Sequence, residues 1–389
     1  MGHRIDPSFV NEIAMYGGDT VNKCFNCGNC TAVCALSEGE TVFPRKSIRY
    51  MQLGMRDKLQ ASHEPWMCYY CGGCSDTCPR EAEPGEVMMA MRRWLTAKYD
   101  WTTLSRRMYL SDAWEIGMLV VVALIVLALF TLPGNFGFRL LNATAAGNPD
   151  IALTVNLEHF APKDMVHIGD LILAGLLGFF LLSNAARMWY FIMRGEQVSL
   201  GTYIAQFKEL VVHGLTQKRW SKCDNDTVKH WVRHIFLVTG YATIFLLVVV
   251  FLPTFQVEDN TIHWTSYLGY YSTAILLGVT LWMMIDRAAK KDQIHKFSHL
   301  SDWLFLWLLF LTALSGIVMH LFRIMDMGMA TYWSYMIHLM IAVPMLAVEV
   351  PFGKWSHLLY RPLAAYLSAV KARSSRREAL TRLHPETAL

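Results

Sequence analysis

The sequence predicts an all-α chain: a small helical domain built on cysteine ligands, followed by a bundle of six membrane-spanning helices. Two observations carry this. Eight of the nine cysteines fall in two runs of identical spacing, Cys24-x2-Cys27-x2-Cys30-x3-Cys34 and Cys68-x2-Cys71-x2-Cys74-x3-Cys78. Beyond them apolar stretches dominate: 54% of the 389 residues are hydrophobic and only 17% charged, which places much of the chain in lipid. The expected division is 1–110 for the cysteine domain, 111–365 for the bundle and 366–389 for a basic tail.

The cysteine spacing matches the run that holds two [4Fe–4S] clusters, in which the fourth cysteine of each run ligates the other run's cluster. The expected sets are Cys24, Cys27 and Cys30 with Cys78, and Cys68, Cys71 and Cys74 with Cys34. Structural zinc uses cysteine pairs without the third interleaved thiol, and a disulfide framework belongs to small oxidised domains. No charged-then-apolar leader opens the sequence, so this domain is expected in the cytoplasm. One departure is that Ala35 follows Cys34, whereas Pro79 follows Cys78. Cys223 reads as an ordinary thiol. Pro44 to Gly54 starts with proline and ends with glycine, as a short helix does. Glu86 to Lys98 is a second helix, with Val87, Met91, Trp94 and Leu95 on an apolar stripe.

Six segments match the roughly 20 residues that cross a bilayer: Trp114–Leu132, Val166–Met188, Trp231–Leu252, Tyr267–Ile285, Leu304–Phe322 and Tyr335–Phe352. Lysine and arginine gather in the second-to-third and fourth-to-fifth connections and in the tail, whereas 253–265 has neither. Both termini are therefore expected on the inner side of a cytoplasmic membrane. The net charge of +4 follows this topology and does not point to nucleic acid. Leu200 to Leu215 reads either as an interfacial amphipathic helix or as a solvated linker.

Ionisable side chains at membrane depth are costly and mark function. His234 and His357 lie at the inner side; His338, His167 and His320 lie at the outer side. Two imidazoles from facing helices can clamp one haem. Depth thus gives one haem b held by His234 and His357, and a second held by His338 with His167 or His320. Nineteen residues separate His338 from His357, about 28 Å of helix, so one helix is expected to serve both. Pro344 and Pro351 supply the kink that would align them. Asp164, His167 and Asp170 share a helical face, either as a proton path to a quinone or as a helix start; Glu349 beside Pro351 is expected to bond either a freed backbone amide or the partner of a haem propionate. His230, His295 and His299 at the inner boundary are weaker ligand candidates, and aromatic residues at span ends read as an interfacial belt.

The first hundred residues resemble the small iron–sulfur subunit of heterodisulfide reductases in Pro44-Arg45-Lys46, Gly54, Trp66-x-Cys68, Cys78-Pro79-Arg80 and Met91-Arg92. The rest resembles the cytochrome b subunit of those enzymes and the gamma subunit of respiratory nitrate reductase. The matching residues are Arg233-His234-Ile235-Phe236 with Gly240, Asp302 to Gly316, His338-Leu339, and Pro351-Phe352-Gly353-Lys354-Trp355-Ser356-His357. The fusion is similar to the membrane subunit of quinone-interacting membrane-bound oxidoreductase complexes. The resemblance implies a transmembrane cytochrome b bundle exchanging electrons with menaquinone. It also implies soluble flavin and iron–sulfur subunits as partners and, through them, adenylylsulfate reductase. It assigns His234 and His357 to the inner haem and His338 to the outer. In the nitrate reductase pattern a histidine lies ten residues beyond the inner one; here that place is Ile244. The paired-cysteine CCG motif is absent, so disulfide chemistry is not expected in this chain. Another respiratory complex, or a non-redox anchor, are the competing readings.

Overall fold

The computed structural model describes residues 5–38, 42–132, 155–223, 225–255, 261–292 and 295–383. Every regular element among the described residues is helical, and none is a strand. The longer helices are α1 (Phe9–Ala14), α2 (Arg45–Gln52), α3 (Pro84–Tyr99), α4 (Leu104–Leu110), α5 (Asp112–Thr131) and α6 (Lys163–Met193). After them come α7 (Leu200–Thr216), α8 (Asn225–Val249), α9 (Trp264–Ala288), α10 (Leu300–Ile324), α11 (Gly328–Pro344) and α12 (His357–Leu383). Six of these are long and apolar enough to cross a membrane: α5, α6, α8, α9, α10, and α11 with its continuation to Phe352. The chain is a multi-pass membrane protein with a helical cysteine domain ahead of its spans.

The cysteine domain wraps around α3. Pro84 sits in the first turn, where its missing N–H costs nothing. The expected single apolar stripe is too narrow, because α3 is buried on nearly every side. α1 covers one flank, and the C-terminal end of α6 and the N-terminal half of α12 continue the same core through Met188, Ile192, Tyr360 and Leu367. Trp94 is fully buried, edge-on to Phe9 at 5.0 Å, and donates its Nε1 to Glu12 at 2.9 Å. Truncating it to alanine would cost about 3–5 kcal/mol. After α2, Gly54 takes a positive φ of 65°, and a Cβ there would strike the Asp6 backbone. Only glycine closes this turn without strain.

At 31 residues α6 is about 46 Å long, more than a bilayer requires. Its surplus turns grip the cysteine domain. Arg187 donates to the Tyr99 carbonyl at 2.8 Å, and Trp101 donates to Ser183 at 3.1 Å. α7 is helical, and Leu200, Ile204, Phe207, Val211 and Leu215 form an exposed apolar stripe along it. That stripe suits a helix lying in the lipid interface, while Tyr203 on another face is held by Trp189 and Tyr366. The tail expected from 366 begins inside α12, whose Leu367 and Val370 are fully buried.

The sixth span is the most enclosed, and it is interrupted. Met345–Glu349 forms one π-helical turn between the two prolines, whose missing N–H groups relax the normal ladder. Val350–Phe352 follows, and the backbone breaks into an extended conformation at Gly353. A Cβ at Gly353 would collide with the Glu349 carboxylate, so glycine is required at this close approach. One helix therefore does not serve both expected haem positions. His338 lies on α11, whereas His357 opens α12 beyond the break.

Candidate functional site

The two cysteine runs share one local backbone. Asn26 and Tyr70, each two residues after the first cysteine, take positive φ of 62° and 55°. Gly28 and Gly72 follow at 96° and 91°. Each of these turns sends an amide toward sulfur: Asn26 N–H to Cys24 Sγ at 3.4 Å, and Tyr70 N–H to Cys68 Sγ at 3.3 Å. Short helical turns, Asn29–Ala32 and Gly73–Asp76, then carry the third cysteine of each run. Equal spacing thus becomes equal geometry.

The runs also cross. One small cavity is lined by Cys24, Cys27, Cys30 and Cys78. Cys34 lies among Cys68 and Cys71, and Cys74 lies among all three. Burial, followed by the neighbouring sulfurs, pushes the Cys34 thiol up to about 11 and Cys74 well above its ordinary value. Burial likewise takes Cys30 up to about 11. Crowded thiols of this kind give up their protons to a cationic core, and metal binding releases them. Among the described residues no three histidine, cysteine or acidic side chains converge on a single ion.

Cys223 is not an isolated thiol. It is buried against Cys71 with Cys68 and Cys34 nearby, and its hydrogen bond to Cys71, with burial, holds its proton on firmly. The only sequence signal was the odd cysteine count.

A line of contacts leads from the second run into the bundle. Arg361 Nη2 donates to the Cys68 carbonyl at 2.7 Å, and its guanidinium lies 3.8 Å over the Tyr69 ring. Tyr69 packs on Trp220 at 5.1 Å, and Trp220 packs on His234 at 5.3 Å between ring centroids. His234 faces His357 at 6.4 Å with planes at 60°. Tyr69 and Trp220 are therefore more than interfacial belt residues, because they fill the space between cysteines and histidines.

The His234–His357 separation can be tested against a metal. An imidazole nitrogen sits about 2.0 Å from its metal, so two imidazoles on opposite sides hold their centroids about 6.3 Å apart. The observed spacing fits. His357 holds its Nδ1 on the Lys354 carbonyl at 2.5 Å, which leaves Nε2 for a metal. Burial keeps the His357 imidazole neutral, the ligating form. His234 Nδ1 is buried without a partner.

The outer histidines are arranged differently. His338 Nδ1 meets Ser315 Oγ at 2.9 Å, and Gly316 on α10 lets the ring approach. His320 is already occupied, with Nε2 on the Tyr270 hydroxyl at 2.7 Å and Nδ1 against Arg323 at 3.5 Å. His167 Nδ1 and Asp170 Oδ2 are buried without partners, and Asp170 acts electrostatically on Tyr335, three residues before His338. No ring contact joins His338 to either candidate as His234 is joined to His357. The weaker candidates have structural partners. His230 pairs with Asp292 at 3.2 Å, His295 with Asp292 at 3.8 Å, and His299 caps α10.

Two acidic residues at the junction have partners that the sequence did not supply. Asp302 binds Lys354 and lies 3.8 Å from Arg93, which in turn holds Glu86 at 2.9 Å. Glu349 is fully buried in the π turn, against Glu115 of α5.

Residues 20–82 match the family described as a 4Fe-4S dicluster domain. Over 84 residues, 21% of this chain and 45% of the relative, the chain is 38% identical to a heterodisulfide reductase subunit-like protein of Archaeoglobus profundus. Over 88 residues it is 33% identical to a subunit of the H(2):CoB-CoM heterodisulfide,ferredoxin reductase of Methanothermobacter thermautotrophicus, covering 23% of this chain and 48% of that one. Over 104 residues it is 32% identical to an iron-sulfur subunit of the CoB--CoM heterodisulfide reductase of Methanopyrus kandleri, covering 27% and 52%. The chain spans about half the length of the curated relatives it matches. These matches lie in the cysteine domain, which supports iron–sulfur clusters and an electron-transfer role.

Proposed function

We propose that this chain passes electrons between a quinone pool in the membrane and soluble redox subunits. The cysteine sets Cys24, Cys27, Cys30 with Cys78 and Cys68, Cys71, Cys74 with Cys34 hold two [4Fe–4S] clusters. His234 and His357 hold an inner haem b. The observation that carries the reading is the unbroken line Cys68–Tyr69–Trp220–His234–His357. Iron–sulfur clusters and haem supply one-electron carriers; the polypeptide supplies their spacing, ligands and dielectric.

His338 is the outer ligand, and His167 is its better partner, because Tyr270 and Arg323 already engage His320. Menaquinone is the quinone substrate. The soluble partners are flavin and iron–sulfur subunits of the heterodisulfide reductase type, linked to adenylylsulfate reductase as in quinone-interacting membrane-bound oxidoreductase complexes. The membrane is the cytoplasmic one, with both termini inside. Because the relatives are heterodisulfide reductase subunits, a membrane subunit of such a reductase is the second reading. Co-purified partner subunits decide between the two.

The test is a redox titration of haem absorbance in wild type, His167→Ala and His320→Ala. Loss of one low-spin signal in His167→Ala alone is the expected result. No haem absorbance in the purified chain would remove the reading.

A further inference from the structure

Two of the buried arginines sit on carboxylates. Arg93 has Glu86 at 2.9 Å and Asp302 at 3.8 Å, and Arg233 has Asp286 at 2.6 Å. Arg92 and Arg361 break the pattern. Arg361 is only 9% exposed, its Nε has no partner, and it makes no ion pair among the described residues. Arg92 is half-buried and likewise pairs with no carboxylate; its Nε goes to the Pro65 carbonyl at 2.7 Å. The two guanidiniums come from helices some 270 residues apart, yet both donate to one acceptor, the Cys68 carbonyl. Two buried cations gathered without an anion are strongly unfavourable. Their counter-charge therefore has to come from something other than an aspartate or glutamate. The one cysteine of the proposed ligand sets that couples electrostatically to Arg361 is Cys68, whose carbonyl it binds.

We propose that Arg92 and Arg361 are the counter-charge of the cluster held by Cys68, Cys71, Cys74 and Cys34, and that they set its reduction potential above that of the other cluster. Each added electron makes a thiolate-ligated cluster more negative, and fixed cations nearby stabilise the reduced form. The first set has no equivalent. Arg45 and Arg80 near it are exposed, and they spend their Nε groups on Asn26 and the Lys23 carbonyl. An electron entering the domain accordingly comes to rest on the cluster nearest the histidine pair. This rests on the ligand sets proposed above.

The experiment is an EPR-monitored redox titration of the full chain in bilayer discs, with iron content measured alongside. Wild type should show two clusters titrating at separate potentials. Arg361→Gln and Arg92→Gln should each lower the higher potential by at least a tenfold change in equilibrium, about 59 mV for one electron. The lower potential should stay in place, and Arg361→Lys should keep most of the wild-type value. Coincident potentials in wild type would overturn the proposal. So would intact clusters that ignore both substitutions, or a lysine variant that shifts as far as glutamine. A shift confined to haem absorbance would make Arg361 the partner of a haem carboxylate and sink it as well. Should Arg361→Gln lose iron, Arg92→Gln and Arg361→Lys still decide. Iron for only one cluster in wild type would refute the ligand sets and with them the proposal.

Discussion

The two cysteine runs have the same spacing and the same backbone turns, yet they occupy different physical worlds. The second, third and fourth cysteines of the two runs match in exposure; only the first differs, Cys24 being half-buried and Cys68 buried. The first set is flanked by exposed Phe25 and Arg45. The second is backed by Trp66, Tyr360, Arg92, Arg361 and Cys223, in a core continuous with the membrane helices. Spacing selects the kind of cofactor; surroundings assign its place in a sequence of transfers.

The largest effects should come from breaking the crossing itself. Cys34→Ser lies in the first run, yet it should abolish the EPR signal of the cluster on the second run and spare the other. Cys78→Ser should do the reverse. Signal loss following the run that was mutated would contradict the crossed sets.

The junction side should also depend more on buried charge. Arg93→Ala strands Glu86 in a buried site and should cost about 3–5 kcal/mol in denaturant titrations. Arg45→Ala, on the exposed side, should cost about 1 kcal/mol or less. Equal losses would erase the contrast between the two surroundings.

Acid should loosen the approach to the second run. Burial alone would raise the Glu64 carboxyl, but the charges of His63 and Lys46, with the Lys46 and Ser62 hydrogen bonds, hold it at about 2. A carboxylate depressed by folding stabilises the protein above its unfolded value of 4.5 and loses that contribution as pH falls through about 2. The contribution is on the order of 3 kcal/mol. Glu64→Gln should therefore flatten the stability profile between pH 4.5 and 2, read from denaturation midpoints. An unchanged profile would show that Lys46 does not anchor this segment. The smallest effect should be Cys223→Ala, which removes one sulfur hydrogen bond and should lower only the second cluster's potential, by less than either arginine variant.

Much of this was legible in the sequence because it is local. The cysteine spacing, the six apolar stretches and the Pro44–Gly54 helix each follow from neighbours within a few turns. What was missed depends on distant contacts. Trp220 and Cys223 lie in a connection that was read only for its lysines and arginines, and packing alone brings them to Tyr69 and Cys71. Arg361 is one turn past His357, but nothing local says that it reaches Cys68. The break at Gly353 escaped because it follows a π turn that no periodicity announces. Glu115 meets Glu349 only when α5 packs on the sixth span.

The central claim is that electrons cross from the histidine pair to the second cluster. The most direct test adds a menaquinol analogue to the full chain in bilayer discs, following haem absorbance and cluster EPR in wild type and His357→Ala. In wild type both signals should be reduced. In His357→Ala the inner haem signal should vanish and the clusters, though present by iron content, should stay oxidised. Clusters reduced equally fast in His357→Ala would contradict the account.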